Sequence, residues 1–177
     1  MIRNILLIIK LLLAQHIYAQ NKQIETSGDI LQIALPVAAF SSTLIWKDDT
    51  KPIIQFMKTM SASVIVTHGL KRVIDKERPN GGKYSFPSGH TSCAFTGAAF
   101  INKRYGWEIG IPAYILAGYV GWTRVYANKH DYWDVLGGAA IGILSAELLT
   151  KKFQKNNLNL SLNKFNGIYV LGINYNF

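Results

Sequence analysis

Five stretches of this chain stay apolar for longer than a β-strand runs. Ile30–Trp46 and Ile109–Thr123 carry no charge over 17 and 15 residues, and Phe86–Asn102 has only the charge that His90 can take up. Pro52–Leu70 is interrupted only by Lys58 and His68, and Val135–Thr150 only by Glu147. Apolar strands end after about 4–8 residues, so runs of this length predict helices. Gly, Ala, Ser and Thr recur in all five, and such small residues let helix backbones approach closely, in membranes above all. The chain is 49% hydrophobic and 16% charged, against a usual charged share of roughly a quarter, which excludes intrinsic disorder. A length of 177 residues fits one domain. The single cysteine, Cys93, excludes an internal disulfide and a cysteine-built zinc site.

A bilayer crossing needs about 20 apolar residues, with a range of about 17–25, and these runs lie at or below its lower limit. Two readings follow: a membrane-embedded bundle, or the core helices of a soluble all-α domain in the periplasm. Charge placement favours the first. Lys47 and Lys51, then Lys103 and Arg104, then Lys151, Lys152 and Lys155 follow alternate runs. A chain that crosses each time puts all of these on one side with Arg3, as the positive-inside rule requires. The net charge is +9, but no continuous basic stripe of the kind that binds nucleic acid is present. The expected partners are therefore membrane lipids and an anionic substrate, not nucleic acid.

Residues 1–19 combine Arg3, an apolar run from Ile5 to Ala14 and the small residue Ala19 before a polar stretch. This is either a secretory signal peptide or a first transmembrane helix, and both send residue 20 onward to the outer side of the inner membrane. Residues 20–155 form the helical domain. The tail, 156–177, changes character: Leu158, Leu160 and Leu162 alternate with polar residues, Asn166-Gly167 is a hairpin signal, and Tyr169, Leu171, Ile173, Tyr175 and Phe177 fall on one face. The expected architecture is thus an all-α bundle of five to six helices, membrane-embedded, with a short C-terminal β-hairpin.

Three clusters carry chemistry. Lys71 precedes Arg78-Pro79 by six intervening residues; Pro87-Ser88-Gly89-His90 follows; Thr123-Arg124 leads, after five residues, to His130 and, after three more, to Asp134. Three cations from distant segments repel one another unless an anion lies between them, and arginine forks match phosphate oxygens. Ser88 is a good N-cap ahead of an apolar run, Gly89 lets a ligand approach the backbone, and a helix N-terminus attracts anions. His130 and Asp134 share a face at helical spacing, so the carboxylate can fix the imidazole tautomer and leave the other nitrogen free to attack. His90 is then a candidate general acid.

Together these clusters resemble the signature of the type-2 phosphatidic acid phosphatase and vanadium haloperoxidase superfamily, with Thr123 standing where the pattern has Ser. The resemblance covers residues 71–134. It implies that Lys71, Arg78 and Arg124 bind the phosphate oxygens, and that Ser88 and Gly89 add a hydroxyl and a backbone N–H. It also implies that His130 is the nucleophile oriented by Asp134, and that His90 protonates the leaving group and later activates water. It implies no metal and no other cofactor. The expected activity is hydrolysis of a phosphate monoester, of a lipid or an isoprenyl pyrophosphate, through a phosphohistidine, with the active site facing the periplasm or cell exterior. The competing readings are a soluble periplasmic acid phosphatase acting on small phosphate esters, and a phospholipid-binding module without turnover.

Other residues near the clusters have plainer expectations. His68 reads as a packed helical histidine, and Cys93 as a small core residue. Asp75, Glu77 and Asp131 read as solvated balancing charges. Trp107, Trp122, Tyr126, Tyr132 and Trp133, at segment ends, read as an interfacial aromatic belt or, in a soluble fold, as core or pocket wall.

Overall fold

The structure is a computed structural model that describes the backbone of residues 2–46, 50–153, 158–165 and 168–175, and the side chains of 22–46 and 50–153. Each apolar run forms most of a helix. The helices are α1 (Ile2–Ile45), α2 (Pro52–Ile74), α3 (Gly89–Tyr105), α4 (Trp107–Tyr126) and α5 (Tyr132–Leu149). Pro52 opens α2, where its missing N–H is no loss. Ser88 caps α3, Gly106 alone separates α3 from α4, and a reciprocal Asp131–Asp134 capping box opens α5. The first apolar stretch and the run from Ile30 form one helix, and the boundary expected near residue 19 leaves no break in it.

Helix α3 is the axis of the bundle. It packs against all four other helices, most extensively against α5 and α4. Small residues make this possible. A Cβ on Gly142 of α5 would fall 2.7 Å from the backbone nitrogen of Thr96 and 2.8 Å from the carbonyl oxygen of Ser92. The apolar core is built from Ala94, Ala98 and Phe100 of α3 with Leu35, Phe56, Ala117 and Val120. Phe56 meets Phe100 edge-on, with ring centroids 5.2 Å apart.

Beside this core, hydroxyls are buried between the helices and large apolar side chains face outward. Thr67 bonds Ser92 at 3.0 Å, Thr96 bonds Ser63 at 2.8 Å, and Thr59 pairs with Thr150 at 3.1 Å, all buried between helices. Ile33, Val37, Ile65, Ile111, Ile115 and Leu148 face outward, Ile65 at 70% and Leu148 at 80% exposure. Large exposed apolar surfaces mark membrane or partner contact, and buried hydroxyl pairs join helices in lipid. Lys22–Ile45 and Tyr132–Leu149 are each long and apolar enough to cross a membrane. Trp107, Trp122, Tyr126, Tyr132 and Trp133 are all exposed, as an interfacial belt requires.

Arg104 departs from its expected place in a basic loop. It is 1% exposed, lies over the rings of Tyr105 and Phe153 at 5.5 and 5.7 Å, and donates to the Thr50 hydroxyl at 3.1 Å. The turn expected at Asn166-Gly167 lies outside the described residues.

Candidate active site

The three sequence clusters meet at one end of the bundle. Lys71 lies in the last turn of α2, Ser88, Gly89 and His90 at the start of α3, Arg124 in the last turn of α4, and Asp134 in the first turn of α5. Arg78 and His130 come from the connecting loops. Lys71, Arg78, Gly89, His90, Arg124 and His130 all line a cavity of about 430 Å³. Ser88 and Asp134 are fully buried behind them. The link between the clusters is direct, because the Ser88 backbone N–H donates to the Asp134 carbonyl at 2.9 Å.

His130 is 3% exposed. Its Nδ1 lies 3.3 Å from Asp134 Oδ2 and 3.4 Å from the Ser85 hydroxyl. Asp134 is satisfied on every side: Ser85 donates to Oδ2, the Asp131 N–H donates to Oδ2 at 3.2 Å, and Lys76 pairs with Oδ1 at 2.9 Å. With Nδ1 turned to the carboxylate, Nε2 is the nitrogen left for chemistry. Burial, and then the charge of Lys71, push the His130 imidazole down to about 4. The ring is therefore neutral, with a free lone pair, over the whole physiological pH range.

The cations are held without an internal neutraliser for each. Lys71 Nζ donates to the carbonyls of Tyr84 and Ser85 at 2.8 and 3.4 Å. Arg78 Nε is buried with no partner among the described residues. Arg124 is 2% exposed and is anchored by four contacts. Nε and NH2 each reach the Thr123 hydroxyl at 3.1 Å, NH1 reaches Asp29 Oδ1 at 2.7 Å, and NH2 reaches the Glu25 carbonyl at 2.7 Å. Thr123 thus orients Arg124 through its hydroxyl, the group it shares with the expected Ser. Ser88 Oγ accepts from the Thr91 hydroxyl at 3.0 Å and from the Thr91 N–H at 3.4 Å, and its own proton remains to donate.

Several residues act here that sequence reasoning passed over or read otherwise. Glu25 and Asp29 of α1 approach from outside the three clusters. Asp29 Oδ1 lies 2.9 Å from His90 Nε2 as well as against Arg124, and Glu25 pairs with Lys129 at 3.4 Å. Their spacing of four, on one face of a helix otherwise running into apolar residues, was the available signal. Lys76 is the counterion of Asp134, and Ser85 is its hydroxyl partner. Asp131 is not merely a solvated charge, since it caps α5 and pairs with Lys76 at 2.5 Å. His68 and Cys93 line the cavity instead of packing in the core, because α1 and α2 leave a gap beside α3.

The profile of the PAP2 superfamily matches residues 71–158. A lipid A 1-phosphatase of Helicobacter pylori strain J99 is 30% identical over 145 residues, which cover 73% of this chain and 67% of that protein. A lipid A 1-phosphatase of Helicobacter pylori strain 26695 is 28% identical over 130 residues, 68% of this chain and 64% of that protein. This chain therefore spans about two thirds of the length of these curated relatives. The crystal structure of LpxE from Aquifex aeolicus shares the fold, with a TM-score of 0.64 at 20% identity, over 73% of this chain and 84% of that one. The three clusters, their convergence on one cavity and these likenesses agree, and the chain belongs to the PAP2 superfamily.

Proposed function

We propose that the protein is a membrane phosphatase that hydrolyses the phosphate monoester of a lipid through a phosphohistidine. The observation that carries this reading is the meeting of three cations, a capped helix N-terminus and a carboxylate-held neutral histidine in one cavity. A binding module needs the cations alone; a nucleophile held by Asp134 and a second histidine across the cavity are the parts of a two-step transfer. The unpartnered Arg78 Nε–H is a donor that a phosphate oxygen satisfies, and leaving it bare costs about 1–3 kcal/mol.

In the first step the His130 Nε2 lone pair forms the P–N bond as the bond to the lipid oxygen breaks, and His90 gives that oxygen its proton. In the second step His90 takes a proton from water, the water oxygen attacks phosphorus, the P–N bond breaks and orthophosphate leaves. Lys71, Arg78 and Arg124 hold the equatorial oxygens, where charge grows. Ser88 and Gly89 add the hydroxyl and N–H of the α3 start. No step needs a metal ion. The names borne by the relatives make the phosphorylated head of lipid A the first substrate to try.

The apolar exterior supports a bilayer setting. Lys51, Lys103, Lys151 and Lys152 lie at the end of the bundle away from the cavity, so the positive-inside rule turns the cavity toward the periplasm or cell exterior. A helix of 44 residues is about 66 Å long, roughly twice a hydrocarbon core of about 30 Å. Residues 20–45 alone suit one crossing, which supports reading 1–19 as a removable signal. The alternation of 158–177 supports a C-terminal hairpin as an appendage to the bundle. The experiment is phosphate release from lipid A, phosphatidic acid and phosphatidylglycerophosphate in micelles. Wild type should release phosphate from at least one of them and His130→Ala from none; equal release by both sinks the assigned nucleophile.

A further inference from the structure

We propose that Asp29 of α1 is a positioning residue for the acid–base histidine, holding the His90 ring in one orientation and favouring its proton-bearing form. The inference rests on the phosphatase reading for its consequence, but its geometry stands apart from the three clusters. Asp29 Oδ1 accepts from two donors at once, His90 Nε2 at 2.9 Å and Arg124 NH1 at 2.7 Å. The carboxylate cannot swing freely, because α1 is pressed against α4 at this turn. A Cβ on Gly28 would lie 2.1 Å from the Thr123 hydroxyl and 2.6 Å from Arg124 NH2. One turn earlier, the Glu25 carbonyl holds the other terminal nitrogen of the same guanidinium. Arg124 therefore fixes Asp29, and Asp29 fixes His90.

The electrostatic need is specific. His90 faces His68 and Lys71 from α2, Arg78 from the loop after α2, Arg124 from α4, and Lys129 and His130 from the loop before α5. On α1 it faces Glu25, which is paired with Lys129, and Asp29. A histidine that must give a proton among four cations is pushed toward its neutral form, and an anion touching it counters that push. Asp29 is that anion before substrate arrives. It also takes Nε2, which leaves the other ring nitrogen for the leaving oxygen. The two histidines thus carry matched supports. Asp134 is walled in behind a neutral His130, while Asp29, 42% exposed, offsets part of the lowering that burial and the Arg124 charge impose on His90.

The test uses the full chain in micelles and the variant Asp29→Asn, which keeps the acceptor for Arg124 and removes the charge. Alkyl phosphates need a proton on the departing oxygen, whereas para-nitrophenyl phosphate releases a stable phenolate without one. The expected result is a fall in kcat/KM, which reports the first step alone, of about 10–100-fold on the lipid ester, with less than about threefold on the nitrophenyl ester. An equal fall on both esters, or no fall, overturns the proposal. Turnover is not the only readout. In protein labelled with 15N-histidine, with His90 assigned by loss of its signal in His90→Asn, the His90 titration midpoint should drop in Asp29→Asn, and an unchanged midpoint overturns the proposal. If wild type hydrolyses no ester at all, the phosphatase reading fails, while the titration still decides the role of Asp29.

Discussion

The acid limb of activity should sit near pH 4 and should belong to His130. An imidazole in an open peptide titrates near 6.5, and burial together with the Lys71 charge brings this one down to about 4. At pH 5 an imidazole with a midpoint near 4 is about nine-tenths neutral, against about 3% for an unperturbed ring. The structure therefore predicts roughly thirtyfold more competent nucleophile at pH 5 than an exposed histidine supplies. The sign is fixed by the free lone pair: activity is present above the midpoint and lost as pH falls through it. The assay is kcat/KM against pH in wild type and Lys71→Met. A phosphate monoester has its own ionisation near 6, which stays put in both proteins. The limb near 4 should move upward in Lys71→Met, without reaching 6.5, since burial remains. A wild-type enzyme limb between 6 and 7, or one indifferent to Lys71, refutes the electrostatic account of the nucleophile.

Two packing substitutions test the frame around the cavity. Gly28→Ala drives a methyl into the Thr123 hydroxyl and should lift α1 from Arg124; a displacement of about 1 Å at a reacting group costs about 100-fold. Circular dichroism should show unchanged helix content, and retention of half the activity would contradict the close approach. Gly142→Ala meets the α3 backbone at 2.7–2.9 Å, where overpacking costs about 1–3 kcal/mol, seen as a thermal midpoint lowered by several degrees.

The helices and the site differ in how far the chain announces them. Helix was readable because apolar runs of that length have no other way to satisfy their backbone in a core or a bilayer. The cation and histidine set was readable because a tetrahedral anion dictates the residue types and the motif fixes their spacing. What sequence could not give was support from unrelated segments. Asp29 lies 61 positions from His90, and its spacing from Glu25 marks a charged helix face without naming the partner. Lys76 and Ser85 sit between motif residues, yet their common target, Asp134, is revealed only when α5 packs behind the loop. Arg104 misled for a related reason. A cation after an apolar run reads as solvent-facing, but the rings of Tyr105 and Phe153 and the hydroxyl of Thr50 enclose it.

The hydrogen bond from the Ser88 N–H to the Asp134 carbonyl has a mechanical meaning. It rivets the start of α3, the proposed phosphoryl-binding rim, to the post that holds the His130 ring. A tilt of α5 relative to the bundle would carry both along, so in the proposed mechanism the distance over which the P–N bond would form is insulated from the breathing of the helices around it.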